Sequence, residues 1–505
     1  MKHLLFALLL LAPVAAMAAA PLAGSRPNII FVLTDDQGYG DISAHGNPIL
    51  KTPNLDRLRA EGARFTDFHV SPTCAPTRSA LFTGRHEFKN GITHTIFERE
   101  RLTLDATTLP QVLKEAGYTT GIFGKWHLGD EADYQPGRRG FDEVYIHGGG
   151  GIGQSYPGSC GDAPRNTYFD PAILHNGTFE KTNGYCTDLF FAQALRWIDA
   201  AQSRPAPFFA YIATNAPHSP YTARPEDAAL YRDKVGGAED VANFFGMLHN
   251  IDENIGRLLA RLDERGLAKN TLVVFMNDNG GTAGIKVYNA GLRAQKGTPW
   301  LGGTRASSFW RWPGRIVPSD VNSLAAHIDF LPTISEFAGA TLSAKVRAQV
   351  EGRSLLPLIE NPAAPWAERT LFTHVGRWPR FSDPDQAKFA NCSVHTKRWH
   401  LVSIKGSAQP TWELYDVAAD PGEKNNVAGQ HQDIVARLAG EFDVWWAATR
   451  PGMVNEKAIG PRLNPFAELY WKQFGGGPDA EDLRIMEPSQ TRIPAERANP
   501  ATTVR

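Results

Sequence analysis

Four short apolar runs, each ending abruptly in polar residues, constrain this chain more than any other feature. Asn28 to Thr34 runs into Asp35-Asp36-Gln37-Gly38, and Thr119 to Gly124 into Lys125-Trp126-His127. Phe208 to Thr214 runs into Asn215-Ala216-Pro217-His218, and Thr271 to Met276 into Asn277-Asp278-Asn279-Gly280. Continuous apolar runs, unlike alternating ones, suit strands buried on both faces, as in a parallel sheet. Helical patterns lie between them: Leu55 to Glu61 stops at Gly62, Leu109 to Ala116 at Gly117, and longer ones cover Asp188 to Ala201 and Asp240 to Arg265. The alternation predicts an α/β fold with a mostly parallel central sheet flanked by helices. Ligands of such sheets gather beyond the carboxyl ends of the strands. All four polar clusters stand at such ends, so they converge on one site.

A fifth segment points to the same place. Residues 71 to 85 read Ser-Pro-Thr-Cys-Ala-Pro-Thr-Arg-Ser-Ala-Leu-Phe-Thr-Gly-Arg. Pro76 suits the first turn of a helix running to about Thr83, with Gly84 as its stop and Thr73 or Ser71 near its cap. Cys74 then sits at a helix N-terminus, where backbone N–H groups and the helix dipole favour an anion. Arg78, one turn on, can return to the same spot and clamp oxyanions.

The remainder of the composition excludes several roles. With 505 residues, 42% hydrophobic and 21% charged, the chain has material for a large core and a smaller partner unit. Its net charge of -1 and lack of a basic block argue against a nucleic-acid partner. Lys2 and His3 precede an apolar run from Leu4 to Leu11 and small residues through Ala20, which reads as a signal peptide over residues 1–20, with cleavage after Ala16-Met17-Ala18 or Ala18-Ala19-Ala20. That run is short for a bilayer span and no cysteine follows it, so no membrane anchor is expected and the protein reads as exported, periplasmic or secreted. Export permits disulfides. Cys160 and Cys186 flank a loop-rich stretch and form the expected pair, with Cys392 expected as a buried free thiol.

The Cys74-x-Pro76-x-Arg78 core, extended by Leu81 and Thr83-Gly84-Arg85, resembles the signature of the type I, formylglycine-dependent sulfatases. The resemblance spans about Arg26 to Asn426 and includes Thr34-Asp35-Asp36-Gln37-Gly38, Gly124-Lys125-Trp126-His127, Ala216-Pro217-His218, Asn277-Asp278-Asn279-Gly280 and Lys296-Gly297-Thr298-Pro299-Trp300. It implies an alkaline-phosphatase-like fold and an arylsulfatase-like sulfuric ester hydrolase. It also implies that a separate maturation enzyme oxidises Cys74 to formylglycine, whose hydrate carries two hydroxyls: one attacks sulfur, and the other later collapses to a carbonyl and expels sulfate from the covalent adduct. By the same resemblance Asp35, Asp36, Asp278 and Asn279, completed by residue 74, hold one divalent cation. Their oxygen donors suit a hard ion, and calcium is the one implied. Arg78, Lys125 and Lys296 would supply fixed positive charge, with Asp278 a possible base. His218 would protonate the leaving alcohol, with Lys296 as its competitor, and His127 would take the proton of the second hydroxyl. Thr77 stands where the signature more often has serine, a departure that keeps the hydroxyl. A further substrate contact is unassigned among His147, Gln154 and Ser155, near the run Gly148 to Gly151, which reads as a pocket wall.

After Asp329-Phe330-Leu331-Pro332-Thr333 the pattern changes to short alternating segments. Arg369 to Thr373, Thr396 to Ile404 and Thr411 to Asp416 read as strands, followed by a helix near Gln432 to Thr449. The chain therefore divides into a catalytic domain over 26–365, a smaller C-terminal α+β subdomain built on an antiparallel sheet over 366–450, and an extended tail over 451–505. The expected substrate is a sulfated small molecule or carbohydrate, with aryl sulfates as surrogates. Two alternatives stand: a phosphonate monoester or phosphodiester hydrolase of the same superfamily, and a non-catalytic glycan-binding relative.

Overall fold

The computed structural model describes residues 20–485, apart from 157, 202, 203 and 406–408. The leader over 1–20, except Ala20, and the tail beyond 485 lie outside the described residues. Eleven strands form one large sheet. In chain order they are β1 (Asn28–Thr34), β2 (Ala63–His69), β3 (Thr119–Lys125), β4 (Glu143–His147), β5 (Ala172–His175), β6 (Thr178–Lys181), β7 (Phe208–Ala213), β8 (Thr271–Asn277), β9 (Arg305–Arg311), β10 (Ser319–Val321) and β11 (Ala325–Ala326). Their spatial order is β10-β2-β9-β8-β1-β7-β3-β4-β5-β6, with β11 beside β2.

The four apolar runs are β1, β3, β7 and β8, and they lie side by side as β8-β1-β7-β3, all parallel. The reason for their continuous apolarity is visible in the packing. Ile29, Phe31 and Leu33 of β1 join one core with Phe209 and Tyr211 of β7, whereas Ile30 and Val32 join the opposite core with Ala210 and Ile212. Successive side chains enter opposite faces, and helices cover both. One cover is the long helix Glu239–Glu264, whose Phe245, Leu248, Ile251 and Leu259 fill the second core. Antiparallel strands close the sheet on either side: β9 beside β8, and β5 and β6 beyond β4.

The smaller sheet is antiparallel, β12 (Leu371–His374), β13 (Cys392–His395), β14 (Trp399–Ser403) and β15 (Glu413–Asp416), in that order. The expected strand Thr396 to Ile404 forms as β14 over Trp399–Ser403; Thr396 N–H donates to Trp399 O in the turn that joins it to β13, which the sequence did not indicate. Helix Gln432–Thr449 lays Phe442, Trp445 and Trp446 on this sheet, and Phe88 of the larger unit joins their cluster.

Two expectations change. Residues beyond 450 do not run as a plain extended segment, because Pro465–Phe474 is a helix. The Asn464 Oδ1 accepts from the N–H groups of Phe466 and Ala467, and Phe466 enters the main core. The Cys160–Cys186 disulfide does not form; all four cysteines are free thiols. Cys186 opens helix Cys186–Ala201 in the core under the sheet and donates to Asn215 Oδ1, while Cys160 belongs to a separate loop cluster with Ile96 and Phe97. Packing in different clusters keeps the two sulfurs from the close, directed approach a bridge needs. Cys392 is buried and free, as expected.

Candidate active site

The site forms where five adjacent parallel strands end. Asp278 follows β8, Asp35 and Asp36 follow β1, His218 follows β7, Lys125 ends β3 with His127 after it, and His147 ends β4. Register brings the first three together: Thr34 pairs with Asn277, and Asp278 N–H donates to Thr34 O. Asp36 adopts a left-handed backbone with φ of 66°, which turns the chain across the sheet edge so that its N–H donates to Asp278 Oδ1 at 3.2 Å.

The helix Cys74–Thr83 starts at residue 74, with Thr73 as N-cap and Gly84 closing it at φ 68°. Neither hydroxyl caps it: Thr73 makes no side-chain cap bond, and the Ser71 hydroxyl donates to Glu87. Leu81 and Phe82 anchor this helix in the core beside β7. The Gly297 N–H donates to Pro72 O, which ties the Lys296 loop to the segment entering the helix.

Around residue 74 the charges are paired and, apart from the part-buried Lys296, buried. Arg78 Nη2 donates to Asp278 Oδ2 at 2.9 Å and lies 3.9 Å from Asp35 Oδ2. Lys125 Nζ bonds Asp35 Oδ2, and Lys296 Nζ bonds Asp36 Oδ1. Burial alone would raise the Asp35 carboxyl, but Lys125, with His218, Arg78 and Lys296 behind it, outweighs burial and holds Asp35 well below the usual carboxylate range. Asp278 goes the other way, pushed up by burial and by the neighbouring charge of Asp35. Burial would likewise raise the Cys74 thiol, yet Lys125 and Lys296 bring it below its ordinary value. An anion at position 74 is therefore favoured in place.

These residues also fit a hard cation. Asp35 Oδ1 and Asn279 Oδ1 are buried oxygens with no hydrogen-bond partner, and ligand atoms of Asp35, Cys74 and Asp278 all lie within 4.8 Å of one another. Asn279 Nδ2 is spent on Asp36 Oδ1 and Gly280 O, leaving Oδ1 as its unsatisfied atom. Unpaired buried oxygens are costly unless something positive meets them.

The two histidines are held differently. His218 follows a cis Ala216–Pro217 bond; its Nδ1 meets Ser219 O at 2.7 Å, and its Nε2 lies 3.9 Å from Asp36 Oδ2. His127 has φ 61° and its Nε2 meets Thr95 O at 2.7 Å, leaving Nδ1 unpartnered. Burial lowers both imidazoles, His127 far below its ordinary value. The run Gly148–Gly151 lines both rings. A Cβ at Gly150 would stand 3.2 Å from His127 Cε1, and one at Gly151 only 2.9 Å from His218 Nδ1, so this wall must be glycine to leave room. Of the three residues left open beside it, Gln154 packs on this wall: its Oε1 accepts from Gly151 N–H, and it meets the same Cβ positions. His147 is wholly buried under the site with Nδ1 3.8 Å from Asp162 Oδ2.

Sequence reasoning missed Arg377, which reaches the site from the loop after β12 of the smaller sheet. No motif marks it, because it comes from a unit read only as strands and a helix. A surface depression lined by Arg26, Asn28, Phe208 and Asn270 opens at the opposite, amino-terminal ends of the strands and shares none of these residues.

An anion-favouring position 74, two buried cations (Arg78 and Lys125) with a part-buried third (Lys296), and a carboxylate cradle at the head of a parallel sheet suit a hydrolase of oxyanion esters. A sequence model of the sulfatase family matches residues 27–340, and one of the C-terminal region of N-sulphoglucosamine sulphohydrolase matches residues 303–444. Arylsulfatase J of Mus musculus is 31% identical over 488 residues, covering 87% of this chain and 79% of that protein. N-acetylgalactosamine-6-sulfatase of Mus musculus is 30% identical, covering 85% of this chain and 88% of that one. The solved structure of Ps i-CgsB with k-i-k-neocarrahexaose superposes with a TM-score of 0.75 at 27% identity, covering 90% of this chain and 99% of that one. The chain belongs to the sulfatase family and is a sulfuric ester hydrolase of the alkaline-phosphatase-like fold.

Proposed function

We propose that the protein hydrolyses sulfate esters of carbohydrates, accepts aryl sulfates as surrogates, and uses residue 74 as a formylglycine made from cysteine by a separate maturation enzyme. The observation that carries this reading is the convergence of Asp35, Cys74 and Asp278 within 4.8 Å under Lys125, Lys296 and Arg78. Asp35, Asp36, Asp278 and Asn279, completed by residue 74, would hold one divalent cation, a hard ion by their oxygen donors and calcium by likeness to the family, which would supply positive charge beside the reacting sulfate. The hydrated aldehyde supplies one hydroxyl as nucleophile and a second whose deprotonation restores the carbonyl.

The chain's own residues do the rest. Arg78, Lys125 and Lys296 are fixed by carboxylates before substrate arrives, so their charge needs no reorganisation. His218 Nδ1 faces a carbonyl and so carries hydrogen, which makes Nε2, on the Asp36 side, the atom that can give a proton to a leaving alcohol. The unpartnered Nδ1 of His127 is the atom free to receive a proton from a hydroxyl at position 74. Likeness to N-acetylgalactosamine-6-sulfatase and to a protein solved with k-i-k-neocarrahexaose supports carbohydrate as the substrate class. The apolar segment at residues 4–11 supports export.

Protein produced with and without a formylglycine-generating enzyme tests the reading. Peptide mass spectrometry should find the aldehyde at residue 74 only in the first sample, and that sample alone should release sulfate from an aryl sulfate. Matured, cation-loaded protein that cleaves aryl phosphonates or phosphodiesters but no sulfate ester would overturn it.

A further inference from the structure

The segments 93–101 and 376–380 place several arginines beside the site, and all but one are neutralised. Arg99 meets Glu456, Arg101 meets Glu131 and Arg380 meets Glu98. Arg377 has no carboxylate partner among the described residues. Its side chain donates to a neutral hydroxyl, Thr95 Oγ1, at 3.1 Å, and it is solvent-exposed. An unpaired, accessible guanidinium among paired ones keeps donors free for an oxyanion.

The backbone holds it there rigidly. Arg377 has φ 62°, a left-handed conformation unfavourable for a side chain of this kind, and its N–H donates to Thr93 O at 3.0 Å. The preceding residue must be glycine: a Cβ at Gly376, which has φ 67°, would fall 2.1 Å from Thr93 O. The following residue is locked as well. Trp378 is buried, donates from Nε1 to Glu456 Oε2 and lies under the Arg99 guanidinium. Strain maintained by a fully satisfied surround is a feature of sites that must present a group in advance.

Position says what Arg377 meets. Its Nη1 stands 3.9 Å from where a Cβ of Gly297 would be, next to Lys296, and the charges of Cys74 and Asp36 both act on it. Dense surrounding protein lowers its pKa even though solvent reaches it, as expected for a group on the wall of a concave site. Cys74 in turn answers first to Lys125 and Lys296, which already serve the oxyanion at residue 74. Arg377 is therefore an additional cation, arriving from the smaller unit on the Lys296 side. Thr95, which orients it, also accepts the His127 Nε2 hydrogen bond through its carbonyl.

We propose that Arg377 forms a second oxyanion subsite, which binds a carboxylate or another sulfate carried by the same sugar unit or its immediate neighbour. This deepens the carbohydrate reading above and rests on it: the preferred substrate is a polyanionic glycan unit, and Arg377 is its specificity-determining residue. A planar guanidinium fits either group in bidentate fashion, so both sources enter the test.

Matured wild type, Arg377→Gln and Arg377→Lys are compared on an aryl sulfate, a neutral monosulfated disaccharide, a disulfated disaccharide and a uronate-containing monosulfated disaccharide. Wild type should prefer at least one of the two dianionic sugars over the neutral one. That preference in kcat/KM should collapse by roughly 10- to 150-fold in R377Q, the range for hydrogen bonds to charged groups, with partial retention in R377K. Which dianionic sugar loses its advantage identifies the group bound. The inference is overturned if wild type shows no preference, or if R377Q loses all four substrates by the same factor, which would assign Arg377 to the scissile sulfate itself. Failure of matured wild type on every sulfate ester would instead sink the underlying function, so the two failures are distinguishable. Thermal unfolding of each variant verifies that the comparison is made on folded protein.

Discussion

Replacing His218 by glutamine separates proton donation from sulfate binding. The ring is pinned by Nδ1 against Ser219 O at 2.7 Å, with Nε2 the nitrogen on the Asp36 side, at 3.9 Å. Glutamine retains length and one hydrogen-bonding group but cannot deliver a proton near neutral pH. Lys296 is a poor substitute donor. Burial would lower its ammonium, but Asp36, Cys74 and Asp35 together outweigh burial and push it above the ordinary lysine range, so its proton is tightly held. Positioned general acids contribute about 10²–10⁴ in rate, or about 2.7–5.5 kcal/mol of barrier. That contribution is needed for an alkoxide leaving from a sugar and hardly at all for a nitrophenolate. H218Q should therefore lose about 10²–10⁴ in kcat on a sugar sulfate and less than about tenfold on nitrophenyl sulfate. Steady-state kinetics of matured enzyme on the two substrates measures the difference. An equal loss on both would refute the reasoning and make His218 a sulfate-binding group.

Asp35→Asn removes the carboxylate whose Oδ1 is unpartnered and leaves Lys125 without its ion-pair partner; the variant should bind less than one equivalent of divalent cation by elemental mass spectrometry and lose sulfatase activity. Asp130 is fully buried, with Oδ2 accepting from Gly161 N–H and Asn464 Nδ2, and burial raises it to about 7. Its folded pKa lies above the unfolded one, so the folded state holds the extra proton between about pH 4 and 7, and stability falls as pH rises through that window. Asp130→Asn should therefore gain stability relative to wild type from about pH 4 to 7 in chemical denaturation, and no change in their difference would refute the buried-carboxyl assignment. Thiol titration of denatured, unreduced protein should find Cys160, Cys186 and Cys392 all reactive; a mass consistent with a 160–186 bridge would contradict the separate clusters seen here.

Local pattern determined the centre of this molecule. A strand buried on both faces must be apolar at every position, so β1, β3, β7 and β8 are legible without a partner, and so is the polar end of each. The helix at residue 74 is legible too, since proline near its start and glycine at its stop are backbone constraints that act within a few residues. What depends on distant partners was not. β13 escaped notice because Cys392–His395 is only four residues long and is held as a strand by β12 and β14 on either side of it. The cysteine pair suggested by loop-rich flanks failed because Cys186 is claimed by the core under the sheet. Gly150 and Gly151 acquire meaning only from the two histidines they face, and the helix at 465–474 only from the core that receives Phe466. Arg377 is the clearest case. A lone arginine in a loop carries no signal of its own; its role comes from the loss of every carboxylate around it to other arginines and from a fold that swings the smaller sheet over the ends of the larger one's strands. Short-range sterics and burial are written into sequence, whereas which charges remain unpaired is settled only when distant segments meet.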